Sequence, residues 1–109
     1  MRFLGPPSAP RISRKDLSRT SGKAVEQLRP LMRAVIAATL AEPGCHAYSY
    51  AEDVADPGLF RVTEMWDSRE ALSAHFEMPH MREWVEQRAA LGFSDRRIAL
   101  HEIGPAEEL

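Results

Sequence analysis

Four histidines, one cysteine and two tyrosines hold much of the proton-transfer and nucleophilic chemistry open to this 109-residue chain. His75 is the first to consider, because it continues an apolar helical face made of Ala71, Leu72 and Phe76. An imidazole, with an ordinary pKa of about 6.5, is ready to take a proton from a phenol near neutral pH. A hydrogen-bonded core histidine would occupy the same position, so the residue reads two ways. Glu64 and Trp66 share one strand face with Phe60 and Val62. Trp66 is then either core or an aromatic wall for a planar substrate. Glu64 is either tied to a backbone N–H or an arginine, or orients His75.

Other residues carry weaker signals. Tyr48, Tyr50, Met65, Met81 and Trp84 have spacings that suit a core stripe and a pocket lining equally well. Arg88 continues the face of Met81, Trp84 and Val85. Its guanidinium could stabilise a substrate oxyanion, or its stem could pack on Trp84 while the charge reaches solvent or a glutamate. His80 follows His75 by five residues with Pro79 between them, and a helical metal pair needs a spacing of four. His46 and His101 stand alone on strands and read as surface or interface residues. Cys45, as a single cysteine, forms neither an internal disulfide nor a thiolate zinc site and reads as a small buried strand residue. No glycine-rich phosphate loop is present, so the expected cofactor set is empty: no metal, flavin or haem.

The elements that must position these groups follow from punctuation and period. Residues 1–10 contain Gly5, Pro6, Pro7 and Pro10 and read as a loose tail, and 105–109 as a short acidic one. Between them, 11–104 form one domain. Residues 11–19 are a weak strand, polar apart from Ile12 and Leu17. Ser21 is placed to cap a helix running to about Ala41 along Val25, Leu28, Met32, Val35 and Thr39, with a kink expected at Pro30. Strands are expected over 45–53 and 59–67, joined by the Asp56-Pro57-Gly58 turn. Asp67 and Glu70 suggest an acidic capping box, Pro79 the first residue of another helix that stops at Gly92, and 97–103 a last strand. The order β-α-β-β-α-β is the ferredoxin-like plan, an α+β domain with a four-stranded antiparallel sheet and helices on one face. Apolar residues on both strand faces ask for a second copy over the open one. A net charge of -2 speaks against nucleic acid and anionic membranes as partners, and 44% hydrophobic content against a disordered chain. With no apolar stretch of spanning length and no signal-type segment, the expected location is the cytosol.

An ordered series of short motifs is similar to the antibiotic biosynthesis monooxygenase family: Gly22-Lys23, Glu42-Pro43-Gly44-Cys45 with Tyr48, Asp56-Pro57-Gly58, Glu64-Met65-Trp66, Ser73-Ala74-His75 and Pro79-His80-Met81. The likeness covers about 11–104. It implies a dimeric α+β barrel, with a cavity in each protomer between sheet and helices. It also implies oxidation of a phenol or quinol by molecular oxygen without a metal, flavin or haem. Relatives of the same fold degrade haem, isomerise a phosphorylated signalling molecule or have no established activity, so a non-catalytic ligand-binding barrel and a haem-degrading enzyme stand as alternatives. The chain contains no asparagine, and the cavity Asn used by some phenol-oxidising and haem-degrading members has no counterpart. The expected site has His75 and Glu64 as its catalytic pair. Trp66, Tyr48, Met65, His80, Met81, Trp84 and Arg88 surround a small aromatic substrate and molecular oxygen.

Overall fold

The computed structural model describes residues 10–109, the Arg96 side chain excepted. Of the tail expected over 1–10, residues 1–9 lie outside the described residues. Four strands, β1 (Arg11–Arg19), β2 (Cys45–Glu52), β3 (Leu59–Trp66) and β4 (Ser94–Ile103), form one antiparallel sheet in the order β2-β3-β1-β4. Helices α1 (Val25–Leu40), α2 (Arg69–Phe76) and α3 (Pro79–Ala90) complete the ferredoxin-like α+β fold. The weakest strand by sequence is thus a central one. Its polar residues are tolerated because Arg14, Asp16 and Ser18 face inward and satisfy one another and β3.

Local chemistry explains most element boundaries. Ser21 does not cap α1 with its side chain; a 3-10 turn over Gly22–Ala24 comes first, and α1 then runs on through Pro30. Pro30 forgoes the bond to the Glu26 carbonyl, but it lies on the exposed side of the helix, where water can replace the partner. The buried stripe of α1 is the expected one: Val25, Leu28, Met32, Val35 and Thr39. At α2 the cap is Ser68, whose hydroxyl accepts from the Ala71 N–H, and Asp67 instead pairs with His46. Pro79 opens α3 as its first residue. The last strand begins earlier than its alternation indicates, because Phe93, just past the Gly92 turn, anchors it against Phe60 and Trp84.

The core lies between α1, α3 and the β2–β3 half of the sheet. Among the described residues the β4 end has no such cover. Ile98 and Leu100 stand opposite Asp16 and Arg14, on the helix side of the sheet, yet are 52% and 42% exposed. The outer face of the sheet is more polar than strand alternation in β3 alone suggests. It holds a concavity of about 400 Å³ lined by Lys15, Leu17, Arg61, Thr63, Arg97 and Ala99, among others. No helix among the described residues is long and apolar enough to cross a membrane.

One turn is under a strict steric constraint. Gly58 has φ +90, its carbonyl accepts from the Thr20 N–H at 3.0 Å, and a Cβ there would lie 2.4 Å from the Thr20 carbonyl oxygen. Gly58→Ala is expected to destabilise the fold by more than about 1 kcal/mol, read as a lower melting temperature. An unchanged melting temperature would show that the β1–β3 junction is not fixed by this contact.

Candidate functional site

The site is built in two parts that meet at Trp66. The first is a chain of acid and imidazole. Glu42, in the stop after α1, accepts on one oxygen, Oε2, from His75 Nδ1 at 2.7 Å and from His80 Nε2 at 2.6 Å. Glu42 and His75 are buried and His80 is half-buried. Donation from Nδ1 fixes the His75 tautomer and leaves Nε2 as a lone-pair acceptor. That nitrogen is buried and has no hydrogen-bond partner among the described residues. The rings of Trp66, Phe76 and Tyr48 pack on the imidazole, with centroids 4.9, 5.2 and 5.5 Å from that of His75.

The second part is a charged floor on the sheet. Glu64 accepts from the Trp66 indole N–H at 3.0 Å and from Arg14 at 2.6 Å. Arg14 also meets Asp16 at 2.7 Å, and Phe76 covers its guanidinium with the ring centroid 5.4 Å away. Burial acts against the Arg14 charge, but Glu64 and Asp16 outweigh it and raise the pKa. Arg88 pairs with Asp95 at 3.3 Å. The Ser18 hydroxyl lies 2.9 Å from Asp16 and 2.8 Å from Asp95, and its single proton can serve only one of them. The other contact needs a proton on the carboxyl. Accordingly, burial first and the nearby Asp95 second raise the Asp16 pKa.

Burial, with Tyr50 second, pushes the Tyr48 hydroxyl well above the ordinary phenol range, and burial pushes Tyr50 up to about 12. Both remain protonated at neutral pH. They hydrogen-bond each other at 3.1 Å, and the Trp84 indole donates to Tyr50 at 3.0 Å. Burial, reinforced by Glu42 and Glu64, raises the Cys45 thiol, which disfavours it as a nucleophile.

Several sequence expectations change. Glu64 does not orient His75, since its oxygens are taken by Arg14 and Trp66; Glu42 has that place. Met65 points to the outer face of the sheet, where Arg11 approaches its sulfur at 3.9 Å, because strand alternation sets it opposite to Glu64 and Trp66. His75 and His80 do converge, because they lie on two helices broken at Met78-Pro79 rather than along one. Their donor nitrogens and the Glu42 oxygen lie within 4.8 Å of one another, a spacing that can hold a metal ion. Met81 and Trp84 are core residues, and Arg88 is an ion-pair partner of an aspartate. Tyr48 and Trp66 sit beside His75 as expected. Glu42 went unassigned as a functional group; the available signal was an acid at a helix C-terminus, where the helix dipole disfavours it.

The comparisons with known proteins agree with this architecture. The model of the family described as "Antibiotic biosynthesis monooxygenase" matches residues 17–87. A protein of Synechocystis described as uncharacterised is 32% identical over 84 residues, 77% of this chain and 57% of its own length. The chain therefore spans little more than half of that relative. A Mycobacterium tuberculosis protein named "Putative monooxygenase" is 37% identical over 82 residues, 74% of this chain and 77% of its own. The crystal structure of a "putative antibiotic biosynthesis monooxygenase" from Deinococcus radiodurans superposes with a TM-score of 0.79 at 30% identity, covering 91% of this chain and 97% of that one. A ferredoxin-like domain with a buried acid–histidine pair behind an aromatic wall is the class of protein defined here. The chain belongs to the antibiotic biosynthesis monooxygenase family.

The floor carries a pH signature. A carboxyl whose pKa is raised on folding is destabilising when ionised, and this penalty is relieved as pH falls. Asp16→Asn should therefore raise the melting temperature at pH 7, its amide donating to Ser18 while Ser18 donates to Asp95. The gain should shrink as pH is lowered through the carboxylate range, where wild-type Asp16 takes up its own proton. A variant less stable than wild type at pH 7 would show that ionised Asp16 is needed by Arg14.

Proposed function

We propose that the protein is a cytosolic, homodimeric monooxygenase that oxidises a phenolic or quinol substrate without a bound cofactor. The observation that carries this reading is the buried, unpartnered Nε2 of His75, with Glu42 holding the opposite tautomeric proton on Nδ1. A phenolic O–H fits that acceptor. Transfer of its proton to Nε2 leaves a phenolate, and Glu42 stabilises the imidazolium formed. The anion, unlike the neutral phenol, gives an electron readily to triplet oxygen. One oxygen atom then enters the substrate and the other leaves as water, with the substrate supplying the electrons. Trp66 is the wall against which a flat ring packs, and its indole is fixed by Glu64.

Phe76, 42% exposed, packs on His75 with ring centroids 5.2 Å apart and rests on Arg14, which stands opposite Leu100 in the ladder. On this reading the substrate reaches Nε2 past the Phe76 ring. In the dimer that this reading supposes, a second copy covers the outer face of the sheet, the face that the helices leave open.

Two measurements test this. Oxygen uptake with a panel of quinols and polycyclic phenols should be catalytic in protein, and His75→Gln, which cannot accept the proton at neutral pH, should lower turnover by about 100-fold. Wild-type turnover in His75→Gln would remove the base assignment, and a barrel that binds such compounds stoichiometrically without consuming oxygen would establish the non-catalytic reading. Sedimentation at micromolar concentration should give about 25 kDa, twice the 12.3 kDa chain, whereas a monomer there would remove the dimer.

A further inference from the structure

Glu42, His75 and His80 reach one point from three segments: the loop after α1, the last turn of α2 and the first turn of α3. Carboxylate oxygen and imidazole nitrogen are the donors that a zinc-class ion takes, with a fourth position left to water. Both ring nitrogens already aim at a single oxygen, from 2.7 and 2.6 Å. In a tetrahedral site with bonds of about 2.0–2.2 Å the donor atoms stand roughly 3.3 Å apart, so the Glu42 oxygen withdraws from each ring nitrogen by well under an ångström while the two nitrogens, within 4.8 Å of each other, adjust to the same separation. His80, with 26% of its side chain exposed, provides the way in from solvent. No arginine or lysine pairs with Glu42 among the described residues, which leaves its charge to the two rings.

We propose that Glu42, His75 and His80 form a binding site for one divalent transition-metal ion of the zinc type. Binding needs no net loss of protons. The ion replaces the proton on His75 Nδ1, which moves to Nε2, and the one on His80 Nε2, which moves to Nδ1. The inward nitrogen of His75 thereby changes from acceptor to donor. On the oxygenase reading above, bound metal therefore inhibits the base; that consequence rests on the reading, and the site itself does not.

The test uses the full chain, freed of metal by dialysis against a chelator, and titrates zinc chloride in a calorimeter with no substrate present. One ion per chain is expected, with dissociation at about micromolar concentration or below. His80→Ala, on the rim, and Glu42→Gln, close in shape to the native side chain, should each weaken binding by about 10-fold or more, whereas His101→Ala on β4 should not. In imidazole nitrogen spectra, zinc should move the His75 proton from Nδ1 to Nε2. Binding that survives both site variants, no binding up to about millimolar zinc, or a His75 proton that stays on Nδ1 would each overturn the proposal. Oxygen uptake by metal-free His75→Gln judges the base reading separately, so the two can fail independently.

Discussion

The Glu64 carboxylate, buried beneath the helices, is matched by the Arg14 guanidinium at 2.6 Å, which offsets the cost of taking its charge out of water. Much else hangs from it. Arg14 draws in Asp16, which engages Ser18 and through it Asp95, so that β4 is tied to β1 by side chains as well as by its ladder. Glu64, held still, fixes the Trp66 indole. Trp66 in turn forms one wall around His75. The position of the unpartnered imidazole nitrogen is therefore set partly by an ion pair on the other side of a tryptophan.

Period and punctuation made the architecture readable from sequence. The α1 stripe, the Asp56-Pro57-Gly58 turn and the Pro79 start recur in the structure because each has a local cause. The errors came where a partner distant in sequence decided the outcome. Asp67 resembles a cap, yet the Ser68 hydroxyl takes the Ala71 N–H and Asp67 turns to His46. Strand 11–19 looked weak because its inward residues are polar, and only pairing with Glu64 and Asp95 makes them suitable for an interior.

The site shows the same division. His75, Trp66 and Tyr48 were legible because an apolar face and strand alternation are local properties. Glu42 was not, since it lies 33 residues before His75 and its sequence context is only that of a helix stop. Likewise, a spacing rule made for one helix does not describe His75 and His80, because the break before Pro79 turns the second ring back toward the first. Two short helices bring together groups that one continuous helix would point in different directions.

The placement of β4 has a consequence for how the molecule opens. Its packing is almost wholly with β1, its other edge has no strand beside it among the described residues, and its inward Ile98 and Leu100 stay half exposed. Such a strand can detach while the layers over β2 and β3 stay intact, so its backbone amides form a separate, low-energy exchange unit. Phe93 and Asp95, at its start, act as the hinge pin: one is gripped by aromatic rings and the other by arginine and serine. Fraying then proceeds from the Ile103 end inward, and it uncovers Arg14 before it disturbs the hydrophobic core.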